Sequence, residues 1–127
     1  MSRSKETLRE SMAKVVVQSD FSYAIKNFLD RFKVNPDVSL LIEEPELLSP
    51  SLGDGGYADA FVASTAAYLC QIHNLTAPAW VNKKCRMMPV PWFAAKSPNM
   101  KAILLQESPA AFRIRNLFVS ANALHRA

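Results

Sequence analysis

The chain has 127 residues, half of them apolar and a fifth charged, and its formal net charge is +4. This balance is typical of a globular protein and excludes a disordered or collagen-like chain. The length is that of one domain with one hydrophobic core, so we expect a single domain over residues 1–127.

No segment has the pattern of a membrane anchor or a secretion signal. The longest uncharged stretch, residues 60–82, contains several polar side chains and Pro78, whereas a membrane span needs about 20 mostly apolar residues. The N-terminus has no apolar region followed by a cleavage site. These features predict a cytoplasmic protein with reduced thiols.

Apolar residues recur at helical spacing along the N-terminal part and predict two amphipathic helices, the first beginning after Ser2 or Ser4. The second is expected to be capped by Ser19 or Asp20. A proline at position 36 after an asparagine is typical of a helix start and predicts a short third helix. The predicted helices of this part cover residues 8–18, 20–33 and 37–44.

The three glycines of the chain lie in an acidic connecting loop over residues 46–56. They do not form a phosphate-binding loop, because Tyr57 and Ala58 follow where that motif requires lysine and Ser/Thr. The loop separates N-terminal helices in residues 1–45 from a basic part in residues 57–127.

The basic part begins with a segment, residues 57–73, that is apolar or small nearly all round and predicts a central buried helix. Its aromatic residues, Tyr57, Phe61 and Tyr68, stand at helical spacing, so we assign them to the core. Five prolines follow and predict a proline-rich irregular segment around residues 76–97.

Ser97-Pro98 and Ser108-Pro109 each combine an N-cap residue with a proline at the first helical position. Leu117-Phe118-Val119 has β-type residues but is too short to assign. The remaining predicted helices cover residues 79–82, 98–107, 109–115 and a last turn from Ser120 to His125. The fold class predicted is all-α, a compact bundle of about five to six helices.

Charge is divided unevenly along the chain. Residues 1–59 carry seven basic against ten acidic side chains, while residues 60–127 carry eight basic groups and one acid, Glu107. Two interpretations remain open: the basic half faces an acidic protein or a nucleic acid, or it pairs with the acidic half inside the fold.

Between Asn82 and Lys96 three basic residues precede two aromatic ones, a composition that suits nucleic acid or an acidic protein groove. The tryptophans Trp80 and Trp92 are equally explained as anchors of the irregular segment on the core, and we favour that role for them. As candidate partner-binding residues the sequence offers Lys83, Lys84, Arg86, Trp92, Arg113 and Arg115.

A catalytic or metal site is not predicted. The thiols Cys70 and Cys85 and the imidazoles His73 and His125 are the only nucleophile and base candidates of that kind, and a structural zinc site normally needs four closely spaced ligands. We therefore expect no metal and no cofactor. An enzyme that uses Cys70 or His73 remains an alternative.

The C-terminal part contains the strings PAWV at 78–81, PWF at 91–93, ESPAAFR at 107–113 and NLFVSANAL at 116–124. With these strings it resembles an uncharacterised family of small bacterial proteins. In that family the block often follows a regulator-like N-terminal part, and its gene lies beside a nucleotidyltransferase-type gene, an arrangement similar to toxin-antitoxin modules. The resemblance covers about residues 57–127 and implies binding to a partner protein.

The sequence therefore predicts a non-catalytic protein that binds a partner, as the antitoxin or accessory subunit of a bacterial two-gene module. The alternative is a transcriptional regulator that binds nucleic acid. A helix-turn-helix over residues 8–33 has suitable spacing, but its second helix uses its apolar face in the core and carries Asp30.

Overall fold

The computed structural model describes residues 6–120, and this part of the chain is mainly helical, as predicted. It also contains one parallel pair of two-residue strands, which was not predicted. The α-helices are α1 Leu8–Met12, α2 Gln18–Val34, α3 Ser49–Leu52, α4 Tyr57–Ile72, α5 Pro98–Glu107 and α6 Ala110–Arg113. The strands are β1 Trp92–Phe93 and β2 Leu117–Phe118, and 3-10 turns cover Val38–Leu40, Ala79–Asn82 and Lys84–Arg86. The expected helix start near Ser2 or Ser4 and the last turn to His125 lie outside the described residues.

Helix α1 is shorter than predicted. Thr7 caps it, because the Thr7 hydroxyl accepts the Glu10 N–H at 3.1 Å and the Glu10 carboxylate accepts the Thr7 N–H at 2.9 Å. The three valines at 15–17 do not continue the helix, since β-branched side chains lose rotamer freedom there. Helix α2 begins before the expected cap, and Asp20 in its first turn accepts the N–H groups of the last two valines.

The helix predicted over residues 37–44 is only the 3-10 turn Val38–Leu40, which Asp37 caps through the Ser39 N–H at 3.0 Å. The segment is short, and Pro45 disfavours helical geometry at the residue before it. Asp37 therefore caps the turn, but too few residues follow it before Pro45 to extend the turn into an α-helix.

Helix α3 lies inside the segment that was predicted as a loop. Its N-terminal end is held by Asp59 of α4, whose carboxylate accepts the Leu48 N–H at 2.6 Å and the Ser49 N–H at 3.2 Å. Gly53 ends the helix in the left-handed conformation, at φ 61°. The stabilising carboxylate comes from the next helix, so no local sequence pattern predicts α3.

Helix α4 is the central, buried helix that the sequence predicted. One side belongs to a large apolar cluster with α1, α2 and the segments around Leu41 and Trp80. Ala60 belongs instead to a smaller cluster with Phe112 and Leu117 from the C-terminal part. Phe61 joins the two clusters, because its ring packs against Phe21 at 5.8 Å and against Phe112 at 5.2 Å.

Helix α5 has the predicted bounds, and Ser97 caps it through the Met100 N–H at 3.2 Å. Helix α6 is shorter than the predicted 109–115, and Ser108 does not cap it. The Ser108 hydroxyl instead donates to a backbone carbonyl and accepts the Val119 N–H at 2.8 Å. Ser108 therefore ties the end of α5 to the chain that follows β2.

The two strands pair in parallel, with Trp92 beside Leu117 and Phe93 beside Phe118. The pairing extends on both sides, because Met88 N–H donates to Arg115 and Ala94 N–H donates to Phe118, each at 3.0 Å. Helices α5 and α6 form the crossover between the strands. The undecided triplet at 117–119 is thus partly a strand.

Replacing Asp59 with alanine is expected to lower the free energy of unfolding by about 3 kcal/mol. The change leaves two backbone donors of α3 without their acceptor, and it removes a carboxylate 3.8 Å from buried Arg86. The control Glu46→Ala removes an 86 % exposed carboxylate and is expected to cost less than about 0.5 kcal/mol. Urea unfolding followed by circular dichroism measures both, and equal losses would contradict the role of Asp59.

Candidate partner-binding surface

Part of the basic half pairs with the acidic half inside the fold. Lys83 Nζ lies 2.6 Å from Glu44 Oε1, and Arg86 Nη2 lies 3.1 Å from Glu44 Oε2. Arg86 is only 1 % exposed and also donates to the Pro45 carbonyl. One carboxylate of the N-terminal half therefore holds two cations of the C-terminal half.

The guanidinium of Arg86 is enclosed by aromatic and acidic groups. Its central carbon lies 5.0 Å from the centre of the Trp80 ring, and Trp80 N–H donates to the Leu41 carbonyl at 2.9 Å. The Lys83 hydrogen bond, opposed by burial and assisted by Arg86, holds the pKa of the Glu44 carboxyl below its ordinary value. Glu44 thus stays ionised and neutralises a buried cation.

Arg115 is a second buried arginine, also 1 % exposed, and its hydrogen bonds go to uncharged groups. It donates to the Val81 carbonyl at 3.0 Å, the Ala111 carbonyl at 2.6 Å and the Asn82 side-chain oxygen at 3.4 Å. Burial lowers the pKa of Arg115. This side chain fastens α6 to the turn Ala79–Asn82.

The other candidate residues divide between surface and core. Lys84 and Arg113 are exposed, as is Lys96, and none of the three makes an ion pair with another residue in 6–120. Trp92 is half-buried, and its ring lies 4.5 Å from that of Tyr57. Of the six candidates, Arg86 and Arg115 are enclosed, Trp92 is packed, and Lys83, Lys84 and Arg113 reach solvent.

Helix α5 contributes an exposed apolar surface that sequence reasoning did not identify. Leu104 is its only buried apolar side chain, while Met100, Ile103 and Leu105 are 45 %, 46 % and 48 % exposed. The sequence did contain a signal. Three consecutive apolar residues span about 200° of a helix circumference, so one core-facing side cannot cover all of them.

Helix α5 lies beside a pair of stacked phenylalanines. Phe93 and Phe118 stack with ring centres 4.8 Å apart, and Lys101 Nζ lies 5.4 Å from the centre of the Phe93 ring. The cation of Lys101 is therefore directed at an aromatic face beside α5.

A shallow apolar groove runs between the segments 38–44 and 76–83, with Val38, Ile42 and Pro78 on its walls. Trp80 forms its floor, and the Lys83–Glu44 ion pair lies at its rim. The groove lies where a segment of the acidic half meets a segment of the basic half.

Of the thiol and imidazole candidates, Cys70 and His73 pack against apolar groups, and His125 lies outside the described residues. Cys70 is buried, and burial raises the pKa of its thiol, which disfavours the reactive thiolate. The ring of His73 packs edge-on against Phe32 at 5.4 Å. Within residues 6–120 no three His, Cys, Asp or Glu side chains are grouped as metal ligands.

Across residues 6–120 no helix has the length and apolar character needed to cross a membrane. No family model matches the chain, and no curated protein or solved structure matches it either.

Arg115→Ala is expected to lower the free energy of unfolding by about 3 kcal/mol, because it leaves buried carbonyl groups without donors and opens a cavity. Arg113→Ala removes the same side chain from an exposed position of α6 and is expected to change stability by less than about 0.5 kcal/mol. Urea unfolding of the two variants measures the difference, and a larger loss for Arg113→Ala would contradict this assignment.

Glu44→Gln is expected to cost about 2 kcal/mol near neutral pH, because Arg86 loses its carboxylate. The folded-state pKa of Glu44 is depressed below 4.5, so its contribution is present above that pH and disappears as pH falls through the folded value. The stability gap between wild type and variant should therefore close in acid. Glu43→Gln, a largely exposed carboxylate 3.8 Å from Arg9, is the control, and a gap independent of pH would contradict the prediction.

Proposed function

We propose that this chain is a non-catalytic protein that binds a partner protein through exposed cations of its C-terminal part. The observation that carries the proposal is the division of the basic residues. Arg86 and Arg115 are buried and make their contacts inside the fold. In contrast, Lys84, Lys96 and Arg113 are exposed and make no ion pair with another residue in 6–120. Such charges attract an acidic surface and accelerate association with it.

The apolar residues of α5 favour a protein over a nucleic acid. Interfaces with nucleic acid are polar and strongly charged, whereas a protein interface combines an apolar centre with a polar rim. Met100 and Ile103 supply apolar area on one flank of α5, and Leu105 supplies it on the opposite flank, where Lys101 lies beside it. This combination suits a partner whose contact surface is apolar at the centre and acidic at the edge.

The state of Cys70 and His73 supports a role without catalysis. A nucleophilic cysteine needs an accessible thiolate near a base, and the Cys70 thiol is buried with a raised pKa. The exposed thiol of Cys85 suits a reducing compartment, so we place the binding in the cytoplasm.

The resemblance of residues 57–127 to a bacterial family suggests which partner to test first. We propose the product of the neighbouring gene, with this chain acting as antitoxin or accessory subunit. A regulator that binds nucleic acid is the second candidate, because the same exposed cations attract phosphate groups.

The test is co-expression with the neighbouring gene product, followed by affinity purification at low and high salt. Lys84→Glu with Arg113→Glu is expected to weaken the complex by at least about tenfold. The control Lys26→Glu with Lys33→Glu makes the same change of charge at exposed positions of α2 and is expected to leave binding intact. Growth of cells that express the neighbour alone tests the antitoxin assignment.

A complex that tolerates the first pair of substitutions as well as the second would contradict the assigned surface. Retention of nucleic acid without a protein complex, lost steeply as salt rises, would support the regulator instead. Absence of both would overturn the proposal.

A further inference from the structure

A polar cleft of about 360 Å³ lies between α1 and α2 and is lined only by residues of the N-terminal part. Three of its lining residues, Tyr23, Asn27 and Arg31, are spaced four apart on α2, so they share one stripe of that helix. Ser11 of α1 and Lys14, which follows that helix, line the cleft from the other side. The volume of the cleft suits a small ligand.

The side chain of Glu6 lies in this cleft and is held there by three donors. Its carboxylate accepts the Ser11 hydroxyl at 3.1 Å, lies 3.2 Å from Arg31 Nη2 and pairs with Lys14 Nζ. Ser11 is 3 % exposed and also accepts a hydrogen bond from Arg31 Nη2 at 2.7 Å. The Lys14 hydrogen bond, opposed by burial and assisted by Ser11, lowers the pKa of the Glu6 carboxyl. The three donors therefore stabilise an anion at this point.

Glu6 leaves some of the donors in the cleft unused. Lys14 and Arg31 bring two positive charges to its single carboxylate. Arg31 Nε is buried and has no hydrogen-bond partner within residues 6–120. It lies beside Nη2 on the edge of the guanidinium that pairs with carboxylate or phosphate through two parallel hydrogen bonds. The Tyr23 hydroxyl and the Asn27 amide make no hydrogen bond with another residue in 6–120 either.

Asp20 is the second acid on the wall of the cleft, and its charge is compensated by other groups. Its carboxylate accepts the Val16 N–H at 3.0 Å and the Val17 N–H at 3.1 Å. It also lies in the first turn of α2, where the helix dipole stabilises a negative charge. The ion pairs of Lys14 and Arg31 within residues 6–120 are made with Glu6. Glu6 is therefore the anion that an incoming ligand has to replace.

We propose that this cleft binds a small phosphomonoester, and that Glu6 occupies the position of the phosphate while the ligand is absent. A phosphomonoester carries a charge of about −1.5 to −2 at neutral pH and three acceptor oxygens, so it matches the two cations better than one carboxylate does. Glu6 precedes the cap residue Thr7, so its side chain can rotate away without unwinding α1. Tyr23 and Asn27 then contact the rest of the ligand. This inference concerns the N-terminal part and does not depend on the proposed partner.

The first experiment is isothermal titration calorimetry of the full chain with phenyl phosphate in a phosphate-free buffer. Glu6→Gln is expected to bind at least about tenfold more tightly than wild type, because the competing carboxylate is lost. Glu43→Gln removes a largely exposed carboxylate outside the cleft and should leave the wild-type affinity unchanged. The proposal is overturned if Glu6→Gln binds no more tightly than wild type, or if Glu43→Gln produces the same gain.

Inorganic phosphate tests the contact with the rest of the ligand. It is expected to bind Glu6→Gln more weakly than phenyl phosphate does, because it cannot reach Tyr23 and Asn27. Equal affinity for the two compounds would overturn the role assigned to these two residues.

The second experiment tests the cations in the Glu6→Gln background. Arg31→Lys keeps the charge but removes the second N–H of the guanidinium edge, and it is expected to weaken binding of phenyl phosphate by at least about tenfold. Lys14→Gln is expected to weaken binding as well, and its 71 % exposed side chain makes it the safer variant if Arg31→Lys unfolds the chain. Lys33→Gln removes a charge from an exposed position of α2 outside the cleft and should leave the affinity unchanged. Circular dichroism checks that each variant folds.

Binding that tolerates both Arg31→Lys and Lys14→Gln would contradict the assigned site, and so would an equal loss with Lys33→Gln. The Nε–H resonance of Arg31 in ¹H–¹⁵N spectra reports the contact directly, and it should move as the phosphate is bound. A resonance that stays in place at saturation would show that the ligand lies elsewhere. None of these outcomes affects the test of the partner complex, which is measured with the neighbouring gene product present.

Discussion

Helix α4 can be enclosed on nearly all sides because most of its buried side chains are small. Ala58, Ala63 and Ala66 face the larger apolar cluster, and Ala60 faces the smaller one. Small side chains let neighbouring elements approach the helix closely, and α6 and the turns Ala79–Asn82 and Lys84–Arg86 all pack against it. Larger side chains at these positions would force the two clusters apart. The position of every candidate binding residue in the C-terminal part thus depends on how closely α4 can be approached.

The two buried arginines show why a count of charges does not describe a surface. Arg86 is neutralised by a carboxylate from the acidic half, while Arg115 is satisfied by carbonyl and amide oxygens. A buried charge is tolerated only when such partners are in place, so both side chains fix segments that are distant in sequence. The charge available to a partner is what remains on the exposed lysines and Arg113.

The sequence was sufficient where the determinants of structure are local. The cap and proline at Ser97-Pro98 and the apolar character of residues 57–73 predicted α5 and α4 with nearly correct bounds. The sequence was insufficient where the determinants of an element lie far away in the chain. Helix α3 is held by Asp59 of the next helix, and β1 pairs with a strand that follows α5 and α6. For the candidate surface, the basic residues could be named, but whether each is buried depends on acceptors such as Glu44 and Val81 that only the fold brings near.

The parallel pairing of β1 and β2 has a consequence for how the molecule fluctuates. Helices α5 and α6 lie in a loop closed by a few backbone hydrogen bonds, the Ser108 contacts and the Arg115 side chain. Within that loop, Leu104 is the only buried apolar residue of α5. Opening α5 alone exposes little apolar area, so it requires less free energy than global unfolding. The amide protons of α5 are therefore expected to exchange with solvent by local opening, while those of α4 exchange only when the whole core comes apart.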